Sequence, residues 1–556
     1  MITYVLYLLP LSLEKSAPIP AQGNAAVSQN APAPESLLFE GLGKHRRKVT
    51  TASAQAQRYF DQGLNFLFAF NHDEAIRSFT QAAKLDPNCA MAWWGIAIAN
   101  GPHINNPMVD EAHAAAAWQA LTEAVEKKAQ ASPVEQALIE AAQARYAQPQ
   151  PADRKPLDTA YAQAMREVWK KFPQDADVGA LFAEAMMDLR PWDLWTQDGQ
   201  PQPGTPEIVE TLERVLTLDR SHPLGLHLYI HAVEASPEPQ KALDAADRLR
   251  NLQPALGHMV HMPSHIDVRC GRWKEAVLAN ERAIEADKQY RQKRPRQGFY
   301  RLYMLHNHHM LAYAAIMRGQ SAEAIRAVDT MIAGVPEEWA RQNAAIADGF
   351  VAMPVEMRVR FGRWDEVLAA PEPPEYFPLA RAMWRASRGI AYAARNQVEE
   401  ARAEQAAFLK AAALVPKEAT FGNNTGSDIL AVATHMLAGE ILFRAGQVEE
   451  GLNELREAVR REDMLRYDEP PSWIIPVRHA LGAALLQAER YPEAAQVYRD
   501  DLKKLPENGW SLYGLSRCLE AQGQHEEAAK AAARFQEVWA DADVKLTSSC
   551  FCQPGK

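Results

Sequence analysis

The sequence predicts an all-α solenoid, a right-handed superhelix in which paired helices bury their apolar faces by stacking on the next pair. A pattern of small and aromatic residues recurs along the chain with the spacing of helix-turn-helix repeats. His227 and His261 lie 34 residues apart, and so do His231 and His265. Hydrophobic residues make up 47% of the 556 residues, which is enough apolar material for a long core of this kind.

The repeat motif is clearest in residues 59–87. Aromatic, glycine, alanine and proline positions follow one another there in a fixed order: Tyr59, Gly63, Phe66, Ala75, Phe79, Ala82 and Pro87. This order and the 34-residue period are those of the tetratricopeptide repeat, in which small residues sit where two helices cross and aromatic residues fill the seam. Further copies are predicted at residues 91–98, 223–254, 256–286, 302–327, 351–369, 382–407, 431–459, 477–506 and 510–535.

Two stretches interrupt the repeats. Residues 101–110 and 190–206 are too long for the usual turn between helices, and loops of this length often carry function, although they also serve simply to bridge a superhelix. The predicted organisation is therefore a leading segment at 1–35, N-terminal repeats at 36–218, histidine-rich repeats at 219–330, C-terminal repeats at 331–540 and a flexible tail at 541–556.

Composition limits the location and the partners. The apolar start and the following Ala-, Pro-, Gln- and Ser-rich stretch predict an exported protein, periplasmic or secreted, with a cytoplasmic location if the start is not a signal. The start is too short to span a bilayer. A net charge of −10 without a basic stripe argues against nucleic acid as the main partner. Five unevenly spaced cysteines predict no disulfide framework; Cys550 and Cys552 could bind a soft metal but are preferably interpreted as incidental thiols.

Several segments resemble those of a family of bacterial tetratricopeptide-repeat proteins, many of them exported and mostly without an assigned activity. The matching segments are residues 70–75 (Phe-Asn-His-Asp-Glu-Ala), 90–95 (Ala-Met-Ala-Trp-Trp-Gly), 190–195, 261–265 (His-Met-Pro-Ser-His) and 467–471 (Tyr-Asp-Glu-Pro-Pro). The resemblance covers nearly the whole chain after the leading segment. It implies the solenoid fold and hardly anything about function.

The histidines are the best sequence clue to function. Nine of the 16 histidines lie between residues 222 and 309. Counted back from the alanine that opens the second helix of each repeat, seven of them occupy positions that recur in two or all three of three consecutive repeats, so their imidazoles should converge from neighbouring helices. The candidate metal ligands are His227, His231, His258, His261, His265, His306 and His309.

Three other residues belong to this prediction. Glu234 continues the stripe of His227 and His231 and is expected as a ligand or, preferably, as a hydrogen-bond acceptor for an imidazole N–H. Pro263 should kink or delay its helix. Tyr313 occupies the register of His231 and His265, so it is predicted to face the same centre and is the one candidate catalytic residue.

A site of mainly neutral imidazoles favours copper or zinc, with iron as a further candidate. The familiar sequence patterns of phosphate-binding, serine-hydrolase and zinc-protease sites are missing from the chain. Three functions stay open: a metal-dependent oxidoreductase or hydrolase acting on a small molecule, a metal-binding or metal-delivery protein without turnover, and a protein-interaction scaffold that binds a peptide in its concave groove. The sequence does not decide whether the protein is an enzyme.

Overall fold

The computed structural model describes residues 37–553, and their secondary structure is almost entirely helical. The N-terminal helices are α1 (Ala54–Phe68), α2 (His72–Leu85), α3 (Ala90–Ala99), α4 (Glu111–Lys127), α5 (Pro133–Ala142), α6 (Lys155–Lys171), α7 (Ala176–Met187) and α8 (Thr205–Leu218). The central helices are α9 (Pro223–Val233), α10 (Leu243–Leu249), α11 (Gly257–His261), α12 (Pro263–Arg269), α13 (Trp273–Lys293), α14 (Arg301–Met317) and α15 (Ser321–Ala333). The predicted leading segment at 1–35 lies entirely outside the described residues.

The C-terminal part continues the same architecture. Its helices are α16 (Glu337–Gln342), α17 (Ala344–Arg360), α18 (Trp364–Ala369), α19 (Pro378–Ala394), α20 (Val398–Ala412), α21 (Gly426–Arg444), α22 (Val448–Asp463), α23 (Val477–Gln487), α24 (Tyr491–Lys504), α25 (Gly509–Ala521) and α26 (His525–Val538). Consecutive helices pair along the chain, as in α1 with α2, α21 with α22 and α25 with α26. Short 3₁₀ turns cover Lys128–Gln130 and Pro239–Ala242, and an antiparallel hairpin joins β1 (Thr420–Phe421) to β2 (Asn424–Thr425). The all-α repeat fold predicted from the sequence is confirmed.

The first repeat shows why its residues form a helix pair. Ser53 caps α1 by accepting a hydrogen bond from the Ala56 N–H, and Asn71 caps α2 in the same way. The buried ring of Phe79 on α2 lies against Gly63 on α1 and Gly95 on α3, where a Cβ would stand only 2.7 Å from ring atoms. The two glycines therefore allow one aromatic ring to hold three helices together.

Pro263 divides the helix that the repeat pattern predicts at residues 256–269. The chain forms α11 up to His261, and α12 begins at Pro263, where a missing N–H costs no hydrogen bond. The predicted loop at 101–110 is non-helical throughout, and the one at 190–206 is non-helical up to Gly204, because α8 begins at Thr205.

The C-terminal repeats lie against the central ones. The indole nitrogen of Trp273 donates to the Pro506 carbonyl at 2.8 Å, and that of Trp510 donates to the Ile316 carbonyl at 2.6 Å. The ring of Phe421, from the hairpin, stacks on His309 with 5.6 Å between ring centroids. As a result, the histidine-bearing face of the central repeats is covered by protein instead of lining an open groove.

Two expectations about the C-terminal part are corrected. Residues 541–553 are not a free tail, because Leu546, Cys550 and Cys552 are buried and the Cys552 carbonyl accepts a hydrogen bond from Arg444. Cys550 and Cys552 are joined in a disulfide instead of remaining incidental thiols. Their apolar surroundings explain why the tail packs: its few large side chains complete the core of the last repeats.

Among residues 37–553, α21 is the one helix long and apolar enough to cross a membrane by length and composition. More than half of its most apolar stretch is buried, and it packs between α19 and α22. The core helix of a repeat protein meets the same criteria.

Candidate metal centre

Six of the predicted histidines come together in two groups of three inside the central repeats. The first group contains His227 and His231 from α9 and His258 from α11. The ligand-capable atoms within a group all lie within 4.8 Å of one another. The second group contains His261, His265 and His306, from α11, α12 and α14.

These imidazoles are shielded from solvent. His227 and His261 are completely buried, and His258 and His265 are 1% exposed, while His306 is only partly buried. Burial lowers the pKa of His227, His258 and His261 well below the ordinary value, because a charged ring would lose its hydration. The three rings are therefore neutral near pH 7, which is the form that binds a metal ion.

In the first group, one imidazole has its proton fixed by the backbone. His227 Nδ1 lies 2.8 Å from the Phe68 carbonyl at the end of α1, and a carbonyl only accepts, so Nδ1 carries the hydrogen. The Nε2 of neutral His227 therefore carries no hydrogen and presents a lone pair. It faces His258 Nε2 at 3.1 Å.

The second group holds two lone pairs face to face. His261 Nδ1 donates to Asn280 Oδ1 at 2.6 Å, and the Asn280 amide is oriented by its own donation to the Ala276 carbonyl. His265 Nδ1 donates to Glu234 Oε2 at 2.5 Å. Both Nε2 atoms are consequently unprotonated when the rings are neutral, yet they stand 2.8 Å apart. Only a proton or a cation between them makes this contact favourable.

Glu234 connects the two groups. Its Oε1 accepts from His231 Nδ1 at 2.7 Å, and its Oε2 accepts from His265. Burial alone would raise the pKa of Glu234, but the charge and hydrogen bonds of His265 and His231 outweigh this effect and lower it to about 2. The same carboxylate raises the pKa of His265, against the effect of burial. Glu234 thus acts as the hydrogen-bond acceptor for the Nδ1–H groups of both rings.

Other ring nitrogens in the cluster lack protein partners. His231 Nε2, His258 Nδ1 and His309 Nε2 are buried and make no hydrogen bond to any described residue. Leaving a polar atom buried and unpaired costs free energy, so such atoms in one cluster indicate a missing binding partner.

A third histidine group provides a contrast. Asp177 accepts from His45 Nε2 at 2.9 Å and from His222 Nε2 at 3.0 Å, and its other oxygen accepts from Arg47 at 2.7 Å. His222 Nδ1 in turn accepts from the Gly225 N–H, capping α9. Protein groups satisfy Asp177 and His222 completely. We call His45, Asp177, His222 and Arg47 the clasp, because it ties the residues before α1 to α7 and α9.

The tetratricopeptide-repeat family model matches residues 485–542, which cover α24, α25 and α26. The chain is built from tetratricopeptide repeats. The solved structures with a similar fold include a human IFIT1 dimer with m7Gppp-AAAA, at 12% identity over 89% of this chain and 92% of that one, with a TM-score of 0.31. Another is the APC/C hetero-tetramer Cut9-Hcn1, at 10% identity over 88% of this chain and 74% of that one, with a TM-score of 0.30. Such scores carry no conclusion about partners. No curated protein sequence matches the chain.

Two candidates stand apart from the two groups in this repeat protein. His309 lies at the edge, with its ring centroid 6.3 Å from that of His306 and with Phe350 and Phe421 around it, and burial lowers its pKa to about 3. Tyr313, predicted to face the centre, packs edge-on against Trp273 at 5.7 Å and lines the cleft that contains Glu469 and Asp501. Tyr313 lies on the same face of α14 as His306 but seven residues further on, about 10.5 Å along the helix axis, where the cleft replaces the histidine groups as its neighbour.

The sequence prediction missed residues that arrive from elsewhere in the chain. The Trp192 ring stands edge-on to His231 at 5.1 Å and donates its indole N–H to Asn105 from the other long loop. The Tyr467 hydroxyl donates to Glu469 Oε2 at 2.8 Å and lies 3.4 Å from Glu234 Oε2. Two indirect signals pointed to them: Trp192 and Asn105 lie in the two long predicted loops, and both Trp192 and Tyr467 belong to segments that carry the family resemblance.

Two cavities adjoin the first group. A small one of about 20 Å³ is lined by His231, Glu234, Trp192 and Tyr467, among others. A larger cleft of about 840 Å³ shares Trp192, Trp195, Ala235 and Tyr467 with it. Burial raises the pKa of Glu469, in the wall of this cleft, to about 7 despite Arg269 and His265 nearby. A small molecule in the cleft would therefore contact Trp192 and Tyr467, which also line the cavity of His231, and would lie beside a carboxyl group that exchanges a proton near neutral pH.

Proposed function

We propose that this tetratricopeptide-repeat protein binds a transition metal ion through the Nε2 atoms of its central histidines. One observation carries the proposal: four rings have their Nδ1 atoms held by protein acceptors, which leaves their Nε2 atoms, two in each group, as the nitrogens that can bind a metal ion. The four rings are those of His227, His231, His261 and His265. Imidazole ligands of metals typically donate their other N–H to a carbonyl or carboxylate in this way.

The donor set favours copper or zinc over magnesium, calcium or manganese. The inward-facing atoms are imidazole nitrogens, and the one central carboxylate, Glu234, already accepts a hydrogen bond on each oxygen. Hard cations prefer oxygen ligands, whereas copper and zinc bind imidazole well. Iron stays as the next candidate.

Burial favours this proposal over a peptide-binding groove at the histidines. A peptide reaches only exposed side chains, and the histidine face is covered by residues such as Trp192, Phe421 and Tyr467. The repeats themselves are consistent with a protein-interaction scaffold, but its contact surface would be a different one. An exported location agrees with the paired Cys550 and Cys552, since disulfides persist mainly in oxidising compartments.

The test is the metal content of protein purified without a histidine tag, measured by plasma mass spectrometry. We expect at least stoichiometric copper or zinc in the wild type and a lower metal content in the His261→Ala/His265→Ala variant. The matched control is His113→Ala/His525→Ala, which removes two exposed histidines and should retain the metal.

Equal metal content in both variants would refute the assignment of the site. Absence of metal from the wild type, even after incubation with Cu²⁺ or Zn²⁺ and desalting, would refute the proposal. The peptide-scaffold function would then become the leading one. Circular dichroism and thermal unfolding of each variant show whether a loss of metal reflects the site or the fold.

A further inference from the structure

The six central imidazoles divide into two sets that share no residue. Within the first set, His227 has its ring centroid 4.8 Å from that of His258 and 5.0 Å from that of His231. Within the second set, His261 lies 4.8 Å from His265 and 4.6 Å from His306. Each set has the three imidazoles that commonly hold one ion with a position to spare, as in three-histidine zinc sites.

The two sets are neighbours, and a single carboxylate serves both. The His231 and His265 centroids are 5.5 Å apart, and those of His258 and His261 are 5.9 Å apart. Glu234 gives one oxygen to His231 in the first set and the other to His265 in the second. A negative charge at this place offsets part of the repulsion between two cations.

We infer that the cluster holds two metal ions, one bound by His227, His231 and His258 and the other by His261, His265 and His306. This inference rests on the proposed function and gives its nuclearity. With metal–nitrogen bonds of about 2.0–2.1 Å, six rings grouped in this way fit two ions better than one. Paired metal ions hold and orient a small oxygen ligand between or beside them, which is the basis of many hydrolytic sites.

The first ion has an open position. His231 lines the cavity of about 20 Å³, which is about the volume that one water molecule needs. Trp192 and Tyr467 separate this cavity from the cleft of about 840 Å³. The open position therefore takes a water-sized ligand, such as hydroxide or a small anion, supplied from the cleft.

The ligand-facing side of the second set lies away from this route. His306 is partly exposed, but none of the three rings of the second set lines the small cavity or the cleft, whereas His231 of the first set lines the small cavity. The two ions thus differ in their access to small ligands. This difference makes the inference testable with one metal and one anion.

The test titrates metal-free protein with Cu²⁺ and counts the bound ions. We expect two equivalents in the wild type, one in His227→Gln/His231→Gln and one in His261→Gln/His306→Gln. Glutamine keeps much of the volume of histidine, and a variant whose thermal unfolding is not cooperative is replaced by His231→Gln or His306→Gln alone. Azide added to each copper-loaded protein should give a charge-transfer absorption band in the wild type and in the second-set variant only.

The possible results distinguish the two-ion inference from the proposed metal-binding function. One equivalent in the wild type, abolished by either variant, would overturn the two-ion inference and leave the proposed metal-binding function standing. No bound copper in any protein would overturn both. Two equivalents with an azide band that survives in the first-set variant would overturn the assignment of the open position.

Discussion

Replacing Glu234 by glutamine tests how the two histidine groups are held. The native carboxylate accepts two N–H donors, from His231 at 2.7 Å and from His265 at 2.5 Å. The glutamine amide has one oxygen and one NH₂ group, so it satisfies one ring and directs a donor at the other. One imidazole must then rotate, change its tautomer or keep an unsatisfied N–H.

The expected loss of metal affinity depends on how many imidazole rings lose their hydrogen-bond acceptor. Removing such an outer acceptor typically lowers metal affinity 10- to 100-fold, which is about 1.4–2.7 kcal/mol. Because Glu234 serves two rings and carries the one negative charge between them, we expect the upper part of this range. The ligands themselves remain, so the number of ions bound at saturating metal should not change.

The assay is a competition titration of metal-loaded Glu234→Gln against a chromophoric chelator at pH 7.5. The control is Glu213→Gln, which changes an exposed carboxylate that accepts from Tyr229 at 3.1 Å and leaves the cluster untouched. An affinity within about threefold of the wild type in Glu234→Gln would refute the reasoning, since two rings would then need no fixed acceptor. An equal loss in Glu213→Gln would mean that the effect is not local.

Three further predictions concern the fold and the clasp. Phe79→Ala should lower the free energy of unfolding by about 3–5 kcal/mol in a urea titration, because the ring fills the space between Gly63 and Gly95; a loss below about 1 kcal/mol would contradict this packing. Asp177→Asn should destabilise the protein by roughly 1–3 kcal/mol, because the amide directs a donor at one of the three buried groups that Asp177 accepts from, although Asp175 still pairs with Arg47, and should leave the metal content unchanged; reduced metal would place the clasp in the site. Burial and the charge of Arg145 lower the pKa of His72 to about 3. Below pH 6.5 the His72 side chain is therefore protonated in the unfolded chain but still neutral in the folded chain, so the free energy of unfolding falls as the pH drops towards 3. Comparing urea unfolding of wild type and His72→Asn at pH 7 and pH 5 should show a smaller pH-dependent loss in the variant, and equal losses would contradict the shift.

Much of the fold follows from the sequence because repeats use local and neighbouring contacts. The positions of Gly63, Phe79 and Gly95 in the motif predict the helix pair and the ring that joins it to the next helix. The same reasoning failed for the tail, where Leu546 and Cys550 pack into distant repeats without any periodic signal. It also failed for Tyr313, because register gives a position along a helix but not the neighbour that the side chain meets.

The sequence by itself determined that the imidazoles of three consecutive repeats would meet, since a 34-residue period places equivalent residues on adjacent helices. Only the tertiary structure decided how they meet. Phe68, which fixes the proton of His227, is 159 residues away in the chain, and Tyr467, which contacts Glu234, is 233 residues away. Such contacts depend on which distant helices and loops pack against one another, and no local sequence pattern encodes that packing. The ligand-type residues were therefore predictable from spacing, whereas their tautomers, their burial and their division into two groups depend on long-range packing.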